Sequence, residues 1–76
     1  MKTAEFLNIL DEIFEEDPGT VQINDSLEDY SWDSLAVVTL IAAIDNQVGL
    51  VLNPENLSEA SSVSDLVTMV KEKLED

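Results

Sequence analysis

The chain has 76 residues, enough for one small domain with a modest core, and we predict a single domain over residues 1–76. Seventeen acidic residues and three lysines, with no arginine or histidine, give a formal net charge of −14. This charge argues against nucleic acid as a partner, because contacts with phosphate need Lys and Arg. It favours partner proteins with basic or apolar docking patches.

The sequence also indicates where the protein works. It contains no cysteine and therefore no disulfide, as is usual in the cytosol. Residues 1–5 lack the apolar segment of a signal peptide, and the longest apolar run, interrupted by Thr39, is too short to span a bilayer. We therefore expect a cytoplasmic protein without a membrane span, and we expect it to act as a monomer.

A first amphipathic helix is predicted from Thr3, its expected cap, to the breaker Asp17-Pro18-Gly19. Its apolar face is predicted to consist of Phe6, Leu10, Ile13 and Phe14. Its polar face is predicted to consist of Asp11, Glu12, Glu15 and Glu16.

Residues 18–32 are predicted to form a long loop, anchored to the core by Val21, Ile23 and Leu27. Residues 24–26 indicate either a turn or the cap of a single helical turn. The acid-rich stretch 24–33 does not fit a calcium-binding EF-hand loop in either possible frame, so we predict no metal site.

A second helix is predicted from Ser34 to about Gln47, with Asp33 as its cap and Gly49 just beyond its end. Apolar residues cover more than one face of this helix, which indicates either a central position or an apolar outer surface. Residues 50–52 are predicted to be a packed connector.

A short third helix is predicted from Pro54 through Ala60. A last helix follows, capped by Ser62 or Ser64, with Lys71 and Lys73 in its final turns. Its apolar stripe is predicted to consist of Val63, Leu66, Val67, Val70 and Leu74. The predicted fold is therefore all-α, a four-helix bundle with a short third helix and a long loop between the first two helices.

Ser34 is the candidate functional residue, because it stands where the acidic loop gives way to the second helix. A serine at a helix start is exposed and suits a covalently attached phosphate, although serine is also a common cap. With no histidine to act as a base, Ser34 is not expected to be a catalytic nucleophile, and we predict no enzyme activity. For Trp32 we favour packing over a contact with a prosthetic arm or a partner.

The triplet Asp33-Ser34-Leu35, with the apolar pattern of the second helix and Val48-Gly49-Leu50 after it, resembles acyl carrier proteins. The resemblance implies a 4′-phosphopantetheine arm on Ser34, installed by a phosphopantetheinyl transferase, that carries acyl groups as thioesters. Enzymes that load and transfer acyl groups would then dock on Asp33, Leu35, Thr39, Ala42, Asp45 and Glu55. The core, which in this family can part to admit an acyl chain, would include Val38, Ile41, Ile44, Leu66 and Val67.

The chain departs from the family pattern at several positions. Ser31 replaces a usual glycine, and Trp32 is bulkier than the usual residue. Outward positions of the second helix that are often acidic in fatty-acid carriers hold Ala36, Thr39, Asn46 and Gln47. These departures favour a carrier for a specialised lipid, polyketide or surface-saccharide pathway over one for fatty acid biosynthesis. The alternative is an unmodified acidic helical interaction module in which Ser34 is only a cap.

Overall fold

Four α-helices organise the computed structural model, which describes residues 1–75. They are α1 (Thr3–Ile13), α2 (Ser34–Val48), α3 (Pro54–Glu59) and α4 (Val63–Met69). Two 3₁₀ turns lie at Leu27–Asp29 and Lys71–Lys73, and no strand forms within residues 1–75. The predicted all-α fold, with its short third helix and its long loop between α1 and α2, is confirmed. No helix in this described part is long and apolar enough to cross a membrane.

Both ends of α1 differ from the prediction. Lys2, in extended backbone, is the residue before the helix, so Thr3 is the first helical residue and not the cap. The Lys2 N–H donates to the Glu5 carboxylate at 3.1 Å. The helix ends at Ile13, before the predicted breaker, and Glu15 then takes a left-handed backbone conformation with φ 58°. The chain therefore turns away from the helix axis earlier than Pro18 requires.

The placement of Asp11 on the polar face of α1 is wrong, because this side chain is only 1% exposed. Its two carboxylate oxygens accept the backbone N–H groups of Gly19 at 2.9 Å and Val21 at 2.8 Å. The loop folds back over the end of α1 and covers the carboxylate. A buried carboxylate that accepts two backbone hydrogen bonds is an anchor for the loop.

Further along, the loop is held against the start of α4. Val21 and Leu27 are buried as predicted, whereas Ile23 is 40% exposed and does not anchor the loop. The Ser26 hydroxyl accepts the Glu28 N–H and caps the first 3₁₀ turn. The Leu27 N–H donates to the Ser61 carbonyl, and the Val63 N–H donates to the Asp25 carbonyl, both at 3.0 Å.

The faces of α2 are not all as predicted. Val37, Leu40 and Ile44, at spacings of three and four, turn one stripe into the core. Val38 is 61% exposed, so its placement in the core is wrong. The physical reason is the rotation of about 100° per residue along a helix, which separates two adjacent valines onto different faces.

The remaining core predictions hold in part. Ile44 and Leu66 are fully buried, whereas Ile41 and Val67 are half-buried and pack against the core. In α4 the Ser62 hydroxyl accepts the Asp65 N–H, and the Asp65 carboxylate accepts the Ser62 N–H, both at 3.2 Å. Ser62, and not Ser64, is therefore the cap. α4 ends at Met69, so the two lysines lie in a separate 3₁₀ turn.

Candidate functional site

Ser34 is the first residue of α2, and it is exposed. The capping role belongs to Asp33, whose carboxylate accepts the Ala36 N–H at 2.9 Å and whose carbonyl accepts the Val37 N–H at 3.0 Å. Within residues 1–75, the Ser34 hydroxyl takes part in no hydrogen bond. The cap at Asp33 thus leaves the Ser34 hydroxyl available for another purpose.

The first turn of α2 fits a covalently attached phosphate. Helix geometry leaves its leading N–H groups, those of Ser34 and Leu35, without partners inside the helix, and the helix dipole favours negative charge there. The chain has no histidine, and its lysines are at positions 2, 71 and 73. The arrangement therefore presents an exposed acceptor hydroxyl at the start of a helix.

The aromatic side chains before Ser34 hold the loop in a fixed arrangement. The Trp32 ring is half-buried, its Nε1–H donates to the Leu57 carbonyl at 3.0 Å, and its edge meets Phe14 at a centroid distance of 6.2 Å. Tyr30 stacks on Phe14 at 4.7 Å. The packing role favoured for Trp32 therefore agrees with its contacts, and this tryptophan connects the loop to α3.

Tyr30 also makes a charged hydrogen bond. Its hydroxyl donates to the Asp25 carboxylate at 2.6 Å. This bond, with a smaller contribution from desolvation, raises the pKa of Tyr30 to about 12. The same bond, together with the Gln22 N–H at 2.8 Å, lowers the pKa of Asp25 from its ordinary value. This pair was not predicted from the sequence, although the position of Tyr30 five residues after Asp25 allows such a contact within a loop.

All six residues predicted to form a docking surface are exposed. Five of them lie at the start or along α2 and one lies on α3: Asp33, Leu35, Thr39, Ala42, Asp45 and Glu55. Leu35 is 74% exposed. The exposed Val38 follows Leu35 by three residues and precedes Ala42 by four, so the three share one helical face.

Val38 was not predicted to be a surface residue, and the prediction of Ala36 as an outward position is wrong. Ala36 is only 5% exposed. The spacing of Val38 from Leu35 groups the two on one helical face, but it does not say whether that face turns outward. Among residues 1–75, no cluster of acidic side chains is arranged to hold a metal ion.

An exposed serine that opens a helix in a small acidic bundle is the arrangement of a carrier domain. Residues 4–70 match the family model described as phosphopantetheine attachment site. The match spans most of the chain, which therefore belongs to the phosphopantetheine attachment site family and is a phosphopantetheine carrier protein. Its cofactor is covalent 4′-phosphopantetheine, and carriers of this family are typically not catalysts and interact with enzymes that include a phosphopantetheinyl transferase. A search of curated protein sequences found no match.

Proposed function

We propose that this chain carries acyl intermediates as thioesters on a 4′-phosphopantetheine arm attached to Ser34, and that it presents them to partner enzymes. The observation that supports this assignment is that Ser34 is exposed and does not serve as the helix cap. Ser34 is the first residue of α2, and Asp33, the residue before it, caps the helix. Ser34 also lies within the matched residues 4–70.

In this proposal the arm supplies a terminal thiol that holds an acyl group as a thioester. The chain contributes the acceptor oxygen, the Ser34 Oγ, and a helix start whose N–H groups favour the negative charge of a phosphate. Asp33 keeps the first turn of α2 ordered through its bond to the Ala36 N–H. Because the Asp33 carboxylate is engaged as the helix cap, we assign removal of the hydroxyl proton to the partner transferase.

Docking is proposed to be more apolar than in an ordinary fatty-acid carrier. Leu35, Val38 and Ala42 form an exposed apolar stripe on α2. Asp45 on the same helix and Glu55 on α3 contribute exposed negative charges to the proposed docking surface. Thr39 adds no charge, and its hydroxyl donates to the Leu35 carbonyl at 2.8 Å. Partners that load or remove the acyl group would therefore present an apolar patch with few basic residues.

The apolar character of this surface favours a role as carrier in a specialised lipid, polyketide or surface-saccharide pathway. The proposal also places the protein in the cytoplasm, as a monomeric single domain over residues 1–76. Its strong negative charge would keep copies of the chain apart and would attract the basic residues of a transferase from a distance.

The experiment is intact-mass measurement after incubation with coenzyme A and a broad-specificity phosphopantetheinyl transferase. The wild type should gain one phosphopantetheine, and Ser34→Ala should gain none while keeping its helical circular dichroism. Ser31→Ala, which changes the exposed serine three residues earlier, is the matched control and should be modified like the wild type. If the folded wild type gains no mass, the unmodified interaction module becomes the better account.

A further inference from the structure

A cleft opens between the loop and the end of α3, with a volume of about 240 Å³. We call it the Trp32 cleft, and it is lined by Leu27, Glu28, Tyr30, Trp32, Ala60 and Ser61. We infer that this cleft seats a short, neutral acyl group carried by the arm. The inference rests on the proposed attachment of that arm to Ser34, two residues after Trp32.

The aromatic walls of the cleft are held in place without a ligand. Trp32 is fixed by its hydrogen bond to the Leu57 carbonyl, and Tyr30 is fixed by its stacking on Phe14 and its bond to Asp25. Groups that are already ordered lose little conformational freedom when a ligand binds. The cleft is therefore a preorganised surface for an apolar group.

The side of the cleft formed by Leu27 and Ser61 is also held in place by a hydrogen bond. The Leu27 N–H donates to the Ser61 carbonyl at 3.0 Å, which joins the loop to the segment between α3 and α4. Leu27 itself is 2% exposed, so it forms a buried apolar base. The two sides are thus linked by a backbone hydrogen bond, and the width of the cleft is set by the fold.

The volume of the cleft selects the size of its ligand. An engineered apolar cavity of about 150 Å³ binds benzene, and sites for drug-sized ligands span about 300–1,000 Å³. A cleft of about 240 Å³ lies between these values. It has room for one ring or a short aliphatic chain.

The charge of the protein selects against anionic groups. Glu28 lies at the cleft, and the whole chain carries a net charge of −14. A carboxylate at the end of a carried group would be repelled by this field. A neutral group would meet the aromatic walls at a high effective concentration, because the arm tethers it beside them.

The packed interior is a less accessible place for the same group. Leu40, Ile44 and Leu66 are each fully buried, so a group could enter among them only if the helices separated. The Trp32 cleft is open at the surface and needs no such separation. A short group therefore reaches the cleft at a lower cost in lost packing.

Trp32 is the only tryptophan of the chain, so its fluorescence reports on the cleft directly. The test compares the holo protein with an unloaded arm, with a hexanoyl group and with an anionic malonyl group, both attached through non-hydrolysable amide links. Intact mass confirms each form. With hexanoyl we expect a shift of the emission to shorter wavelength and a fall in quenching by acrylamide, because the apolar chain covers the indole ring.

Two variants locate the effect. Ala60→Leu fills the cleft and should abolish the protection from quenching, whereas Ser58→Leu, a matched change at an exposed position of α3, should leave it intact. Amide NMR shifts at Leu27 and Ser61 of the wild type, moved by hexanoyl but not by malonyl, provide a second measurement if Ala60→Leu is poorly folded.

Three results would overturn the inference while leaving the carrier function intact. These are a mass-confirmed hexanoyl form with unchanged emission and amide shifts, equal protection by the unloaded arm or by malonyl, and full protection in a folded Ala60→Leu variant. A failure of the proposed function looks different, because the chain would then show no added mass on Ser34 in any form.

Discussion

The carboxylate of Asp11 accepts the backbone N–H of Val21 at 2.8 Å, across ten residues that leave α1 and turn back upon it. Its second oxygen accepts the Gly19 N–H at 2.9 Å. Both Asp11 and Val21 are 1% exposed. One buried side chain thus fixes the first part of the loop that leads to Ser34.

Asp11→Asn should destabilise the fold. An amide presents only one acceptor oxygen, so one of the two backbone N–H groups would face an NH₂ group and lose its partner. Leaving a buried donor unpaired costs about 1–3 kcal/mol, and we expect a loss of that size in urea unfolding. Glu12→Gln, the same change of charge on an exposed neighbour, is the control and should lie within about 0.5 kcal/mol of the wild type.

The sign of the Asp11→Asn effect is informative, because the substitution also removes one negative charge from a chain of net charge −14. If charge repulsion dominated stability, both Asp11→Asn and Glu12→Gln would stabilise the protein. An Asp11→Asn variant as stable as Glu12→Gln would show that the two backbone hydrogen bonds do not anchor the loop.

Glu15→Gly should stabilise the protein. Glu15 has φ 58°, a left-handed conformation that a residue with a Cβ adopts at a cost of about 1–2 kcal/mol. Glycine removes this strain, and we expect a gain of about 1 kcal/mol after its greater unfolded-state entropy is included. Glu16→Gly removes the same charge next to it, where φ is not positive, and should not stabilise. Equal gains in both variants would assign the effect to charge alone.

Alkaline pH should weaken the link between Tyr30 and Asp25. The folded pKa of Tyr30, about 12, lies above its ordinary value of 10.0, so the stability gained from this bond is present below pH 10 and is lost between pH 10 and 12. Tyr30 is the only tyrosine, so its absorbance titration reads this pKa directly. Asp25→Asn should bring the midpoint back towards 10, and a wild-type midpoint already near 10 would contradict the bond.

The cap and the end of α2 were predictable from sequence, because each depends on a few adjacent residues. The Asp33 cap needs only a short side chain with an acceptor oxygen, and Gly49 adopts φ 70° at the end of α2. Asp11 was not predictable in this way, because the groups that it binds lie eight and ten residues further along the chain.

The orientation of α2 was also beyond local inference. Apolar residues cover most of this helix, so periodicity alone does not choose between Val37 and Val38 for the core. The choice depends on which neighbouring elements pack against the helix, and only the fold shows that Val37 is 5% and Val38 is 61% exposed. Ser34 was identifiable as a candidate because its position follows directly from the cap beside it.

The exposed apolar stripe on α2 should matter more for docking than the charge near it. Leu35→Ala and Val38→Ala should each lower the kcat/KM of the phosphopantetheinyl transferase about fivefold, since truncating an interface anchor costs about 1 kcal/mol or more. Asp45→Asn should have a smaller effect, confined to association at low salt. Val51→Ala is the control, because Val51 is 75% exposed but lies in the connector after α2. An equal loss of kcat/KM for Val51→Ala and Leu35→Ala would contradict a docking role for this stripe.

The most direct test of the carrier assignment is to localise the arm by fragmentation mass spectrometry of the transferase-treated chain. Fragments of the peptide that holds both residues distinguish Ser34 from Ser31, an exposed serine three residues before α2 begins. We predict that every fragment bearing phosphopantetheine contains Ser34, and that no other serine bears it. Phosphopantetheine on Ser31 or elsewhere, or its persistence in Ser34→Ala, would contradict the assignment of Ser34.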